Sequence, residues 1–492
     1  MVAKVTLLVL FFTVTLALGV FYKKKIHSMD DFVLGGRSIG PWLTAFSYGT
    51  SYFSAVVFIG YSGQFGWEFG ISAFWIGIAN ALIGSLAAWT VLGKRTRTMT
   101  KHLGAATMPD FFAKRYNSKA LKFASALIIF VFLIPYSASV YKGLSGIFSM
   151  AFGIDFKYCI IGMAVLTCVY VVLGGYMAAA ANNFVQGIIM LGGIVAVVVA
   201  VLNGKGGFTQ AVKSLSEISS DYTSLFGPQP LNLIGVMILT SLGTWGLPQM
   251  IHKFYTIDSE KSIKKGAIIS TIFALVVAGG SYFIGGFGRL YVAAGEGGKP
   301  SIAFDEIMPN MLNGVLPDIL MGLVVVLVLS ASMSTLSSLV ISSASTMTVD
   351  FVKGFIKKDM KDSQQMIFTR IFCVIFVAVS LVLALFPGTL ITNLMAISWG
   401  ALSGAFLAPF MYGLYSKKIT NTSVWAGFVV GIGFIVVNMF VGLMPGTSAG
   451  AVAMLLTLVV VPVVSLFTKK PDTQHIEQCF ACYSKVDEDK NI

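Results

Sequence analysis

Charge is the scarcest thing in this chain. Asp, Glu, Lys and Arg make up 11% of its 492 residues, where a soluble globular protein carries about a quarter. No polar stretch long enough for a soluble domain separates its apolar runs, and no signalling domain follows them, which argues against a sensor. Histidine is nearly absent, with four. That leaves little material for the polar clusters catalysis needs, so the chain is read as a non-enzyme. A channel would show a ring or filter motif, and none is visible. The five cysteines decide little. Cys159, Cys168 and Cys373 fall in apolar runs, while Cys479 and Cys482 form one CxxC with His475 near it, short of the four ligands of a structural zinc.

What is present in quantity is hydrophobicity, at 56% of residues and a mean hydropathy of +0.84. Apolar segments of about 20 residues recur from end to end, which is the membrane-spanning signal. Thirteen are counted: 3–22, 40–65, 70–93, 119–150, 157–175, 179–202, 231–252, 266–293, 312–349, 366–386, 389–415, 423–444 and 449–467. The first lacks a basic start and a small-residue cleavage site and is followed by "KKK", so it reads as a retained helix. With the N-terminus outside, all of the 34 Lys and Arg fall in inner loops and tail except Lys4, Lys142, Lys157, Lys205, Lys213, Arg289 and Lys299. The positive-inside rule therefore predicts a cytoplasmic C-terminus in a plasma (inner) membrane. The net charge of +13 is a consequence of that topology and does not imply nucleic-acid binding. One transmembrane domain over 1–470 is expected, with a polar, mobile cytoplasmic tail over 471–492.

Two spans are interrupted in their middles. The second reads "FSYGTSYFSAVVFIGYSG" and the seventh "LTSLGTWGLPQMIH", and each opens a set of five spans. Matched broken helices in two halves point to an inverted-repeat transporter with a site at the membrane midplane, because carbonyls freed in lipid are tolerable only where they line a cavity or hold an ion. Helix kinks or tight glycine packing are the plainer alternative. The ninth span carries "SASMSTLSSLVISSAS", nine hydroxyls in sixteen residues. Ser334, Ser337, Ser338, Ser342 and Ser345 share a helix face, with Thr335 beside it. Such hydroxyls can bond their own helix or pack helices together. They can also serve a hard cation such as Na⁺, with Ser334, Thr335 and the Ala331 carbonyl offering oxygens and the broken second span the rest.

Five motifs in order give a resemblance over almost the whole chain: "DDFVLGGRSIGPW", "TMPDFFAKRY", "LGGYMAAAANNFVQGIIML", "GLPQMIHKF" and "LPDILMGLVVVLVLSASMSTLSSLVISSASTMTVDF". Together they resemble the sodium/solute symporters, the family of proline, pantothenate, sialic acid and sugar/sodium cotransporters. The resemblance implies an all-α polytopic protein of 13 helices with a LeuT-type 5+5 inverted repeat, its core at about 40–202 and 231–415. It implies sodium-coupled symport of a small solute by alternating access, with the monomer as the functional unit. It places a sodium ion on the carbonyls of Thr50, Phe53 and Ala331 and the hydroxyls of Ser334 and Thr335. A second ion would fall on Asn183, Ser337 and Ser338, but the family's usual carboxylate is replaced there by the second residue of "NN", Asn182 and Asn183. At Tyr52 the proline transporters carry an acid, and "YFSA" is more similar to the pantothenate and sugar branches. Solute contacts are expected from Ser54, Ala55, Phe58, Gln64, Lys142, Thr244, Trp245, Gln249 and Trp399.

Lys142 stands out because no core span carries Asp or Glu in its middle. It lies about eight residues, or roughly 12 Å, inside its span. A lysine at that depth either snorkels to the outer surface or serves function. With no acidic partner evident, the expected partner is a carboxylate on the solute. A proton-coupled or uncoupled carrier of the same fold, suggested by Asn183 and Lys142, stays open beside the sodium symporter.

Overall fold

The computed structural model describes residues 2–23, 28–313, 315–386 and 390–488; Lys24, Lys25 and Lys490 of the charge pattern lie outside them. Among the described residues the chain is helical, with two isolated β-bridges (Ile39 with Ile257, Ala294 with Pro300) and no strand. The long elements are α1 Val2–Lys23, α2 Pro41–Tyr52, α3 56–69, α4 70–102, α5 Lys119–Phe152, α6 156–174, α7 Gly175–Asn203, α8 Pro230–Trp245 and α9 Pro248–Thr256. They continue as α10 Glu260–Gly285, α11 Asp318–Ile356, α12 Asp362–Leu385, α13 Ile391–Tyr415, α14 Asn421–Val441, α15 Gly446–Phe467 and α16 Thr473–Glu488. Their starts follow local chemistry. Proline opens α2, α8 and α9, and the hydroxyls of Ser118, Ser259 and Thr420 accept from backbone amides at the starts of α5, α10 and α14.

Among the described residues ten helices qualify as membrane spans by length and apolarity, or eleven with the bent pair α8–α9 counted as one, against thirteen expected. The difference lies where polarity and glycine interrupt apolar runs. The second span is in two pieces, α2 and α3, and α3 runs on into α4 through Gly70, whose φ of 64° and ψ of −142° are not helical. The fifth, α6, meets α7 at Gly175, at φ 57° and ψ −168°. Both are conformations that glycine adopts at little cost.

Burial sorts the helices into axis and rim. The most apolar window of α11 is 83% buried and that of α13 89%, against 17% for α1. α11 packs on α5 and α7, α10 on α2, and α13 on α5, α14 and α15. Small residues let backbones touch: a Cβ on Gly66 of α3 would stand 2.0 Å from the Gly285 carbonyl carbon of α10. The tail departs from expectation. Where a mobile tail was expected, α16 docks on the segments around Arg95, Arg115 and Lys417. Lys417 pairs with Glu477 at 2.9 Å, the Tyr483 hydroxyl donates to the Arg95 carbonyl, and the guanidinium of Arg115 stacks over Phe480. The apolar Phe480 and Cys479, both buried, supply the packing that a count of polar residues overlooks.

Candidate ion and solute site

The site begins with a helix that stops. The last backbone bond of α2 runs from the Phe53 amide to the Gly49 carbonyl, and Phe53 turns extended at φ −105° and ψ 97°. Ser54 then opens α3, its hydroxyl accepting from the Val56 amide and its carbonyl from the Val57 and Phe58 amides. The Thr50 carbonyl, left without a helical amide, turns to α11. There it lies 2.9 Å from the Ser334 hydroxyl and 3.3 Å from that of Thr335. The same two hydroxyls lie 3.0 Å from the Ala331 carbonyl, and Thr335 is also 3.3 Å from the Ser51 carbonyl. Thr50, Ser334 and Thr335 are fully buried.

Two hydroxyls carry two protons between them, yet five hydroxyl–carbonyl contacts converge here. At any moment at most two are linear hydrogen bonds, and the two protons, even when shared, leave lone pairs among these oxygens unmet. Five oxygens with a deficit of protons suit a hard, weakly held cation. The set is the expected one with one substitution. The second α2 carbonyl against the hydroxyls is that of Ser51, while Phe53 stacks on Tyr52 with ring centroids 4.2 Å apart.

Beside it lies a second cluster. Ser337 and Ser338 both donate to the Ser334 carbonyl, at 2.9 and 3.1 Å, and the Ser338 hydroxyl is 2.8 Å from that of Ser51. Asn183 comes from α7, its amide nitrogen donating to the Ser47 hydroxyl at 3.2 Å while its buried Oδ1 has no hydrogen-bond partner. Asn182 faces away, donating to the Thr15 carbonyl of α1. Gln186, one turn on, is buried with both amide atoms unpartnered. Into this cluster reaches Lys253 of α9, which the charge pattern had assigned to an inner loop. It is 1% exposed, and its ammonium donates to Ser338 at 3.0 Å and lies 5.0 Å from the centre of the Tyr176 ring. The apolar count ended the seventh span one residue short of it. The signal was available in the helical continuation of "GLPQMIHKF" beyond Pro248.

The expected solute contacts separate into those with free polar atoms and those without. Gln249, at the second position of α9, has both amide atoms buried and unpartnered. Trp399 packs against Tyr52 and Tyr136, at 6.0 and 5.8 Å between ring centroids, and its indole N–H is unpartnered, as are the hydroxyls of Tyr136 and Ser398. Thr244 instead donates to the Gly84 and Ser241 carbonyls and Trp245 to the Ile83 carbonyl, so both tie the broken helix to α4. Ala55 meets α5, where a Cβ on Gly143 would stand 3.0 Å from the Ala55 methyl, and Phe58 is buried.

Gln64 and Lys142 lie apart from this cluster. Gln64 donates to Glu68 and accepts from Thr392 at 2.7 Å. Lys142 donates to the Phe386 carbonyl at 2.8 Å and lines a cavity of about 730 Å³ together with Asp305, Glu306 and Asn310. The expectation that Lys142 lacks an acidic partner is thereby corrected. Asp305 shares its cavity, in a loop far along the chain. Burial raises the Asp305 carboxyl to about 6, against the opposing pull of the Ile391 amide and the Lys142 charge.

Two interrupted helices meeting a hydroxyl-rich third make this a LeuT-type transporter. A Na⁺-coupled sialic acid symporter, solved in a substrate-bound outward-open state, superposes with a TM-score of 0.81 at 16% identity, covering 96% of this chain and 98% of its own. Mhp1, a nucleobase-cation-symport-1 family transporter, gives 0.53 at 14% identity over 91% and 97%. The profile of the Sodium:solute symporter family matches residues 32–431, and the chain belongs to that family. It is 30% identical to a sodium/proline symporter of Staphylococcus aureus, over 94% of this chain and 93% of that one. It is 27% identical to the osmoregulated proline transporter OpuE of Bacillus subtilis (strain 168), over 94% of each. The protein is a multi-pass membrane symporter that couples a small solute to sodium, and it is not an enzyme.

Proposed function

We propose that the protein carries a small carboxylate-bearing solute, an amino acid or organic anion, inward across the plasma membrane with sodium. In this reading the halves 40–202 and 231–415 alternate access within a monomer, with the N-terminus outside, the C-terminus inside and thirteen crossings that reverse at Gly70 and Gly175. The sodium sits on the carbonyls of Thr50, Ser51 and Ala331 and the hydroxyls of Ser334 and Thr335, with Phe53 joining when α2 shifts. The observation that carries the reading is the proton deficit among those buried oxygens.

The carboxylate class rests on the relatives named as proline transporters and no longer on an unpaired Lys142. Tyr52, whose hydroxyl donates to the Thr240 carbonyl, argues against strict proline specificity. Gln249, Trp399 and Ser398 offer the solute its hydrogen-bonding groups. Uptake of labelled proline, other amino acids and short organic acids into proteoliposomes, under an inward sodium gradient and again under a proton gradient alone, tests the reading. Sodium-driven uptake of one of these acids, weakened in Ser334→Ala, is expected. Uptake driven by protons alone would establish the alternative of a proton-coupled carrier.

A further inference from the structure

Lys253 is the one buried charge at the ion cluster that the sodium reading leaves unused. Its ammonium donates to Ser338, and Ser338 in turn lies 2.8 Å from the Ser51 hydroxyl. Ser51 belongs to both clusters, since its carbonyl faces Thr335 in the first. Ser338 bonds the carbonyl of Ser334, a residue of the first. The lysine therefore stands one residue away from the sodium oxygens. No carboxylate oxygen lies within 4.0 Å of it among the described residues. A buried ammonium without an anion is costly, and what meets it here is the neutral Ser338 hydroxyl and the face of Tyr176. Those are the ligands a small monovalent cation would use.

The side of the cluster facing α7 agrees. A second metal cation beside the first would call for a negative group to offset the repulsion, and the α7 residue expected to supply it is Asn183, neutral, with its nitrogen committed to Ser47 and its oxygen unpartnered. The cluster has a positive charge built in and no acid to hold a mobile one.

We propose that Lys253 is a resident cation: its ammonium fills, on Ser338 and Ser51, the place a second sodium would take, so that one sodium ion binds per chain. The proposal rests on the first cluster being the sodium site. It also makes Lys253 a determinant of sodium affinity, because a fixed like charge next to the ion weakens its binding.

The test is equilibrium binding of radiolabelled sodium to the purified full-length protein, without solute. The wild type is expected to saturate at one sodium per chain. Lys253→Gln is expected to lower half-saturation about tenfold, and Lys253→Arg, which keeps the charge, to stay within about twofold of wild type. Asn183→Asp with Lys253→Gln is expected to bind two. Wild-type saturation at two, or unchanged affinity in Lys253→Gln with one sodium in the double variant, would overturn the proposal. Sodium binding absent from the wild type but with normal folding would instead remove the sodium reading beneath it. Should the double variant fail to fold, the affinities of the Gln and Arg variants decide alone.

Discussion

At the scale of single residues, the side chains that matter are those whose hydrogen-bonding capacity is left over. Gln249 is the clearest, since a buried amide with neither end paired costs about 1–3 kcal/mol for each unmet group. Gln249→Leu is therefore expected to raise the melting temperature of the solute-free protein while abolishing most uptake, a split that melting curves and transport assays check together. A parallel fall in both would mean that Gln249 is a packing residue. Ser334 and Thr335 were legible in the sequence because adjacent hydroxyls in an oily helix are a strong local signal. Lys253 was not, because one charge at the end of an apolar run reads as the start of a loop. The Lys142–Asp305 relation was illegible for another reason: it joins a span to a distant loop, and no local pattern records that.

At the scale of elements, the loop around Asp305 has a pH dependence whose sign can be worked out. Its carboxyl is raised in the folded protein to about 6, so its contribution to stability is complete below the ordinary carboxylate range and is lost as pH rises through about 6. Asp110 is opposite in sign. Burial pushes its carboxyl up, but Lys122 and Lys114, at 2.9 Å each, hold it below the usual value. Its contribution is present at neutral pH and lost on acidification. Asp305→Asn should thus flatten the decline in melting temperature between about pH 4 and 6 and leave the acid limb unchanged; an unaltered profile would show Asp305 to be solvated. The tail helix α16 offers a second test. Phe480, 7% exposed, is its main apolar anchor, and Phe480→Ala should speed tryptic cleavage after Lys469 without moving the main unfolding transition, since a peripheral helix opens locally. Broken helices were legible from glycine and proline, whereas the docking of α16 was not, because its few apolar residues are spaced among charges.

At the scale of the whole molecule, the interrupted helices, the axial burial of α11 and α13 and the rim position of α1 follow from one constraint. Backbone freed inside a membrane must be buried against protein or an ion. That constraint made the fold class readable from the hydropathy pattern, while the count of crossings depended on glycine conformations at Gly70 and Gly175 that hydropathy does not contain. The proposed function follows from the same constraint: in that reading an ion completes the coordination of the freed carbonyls and ties α2 to α11. The most direct test is the melting temperature of the purified protein in NaCl against choline chloride at matched ionic strength. A ligand bound to the folded state alone, at a hundred times its Kd, adds about 2.7 kcal/mol. The account predicts a saturable, sodium-specific rise that Ser334→Ala abolishes; identical melting in the two salts, with the protein folded, would contradict it.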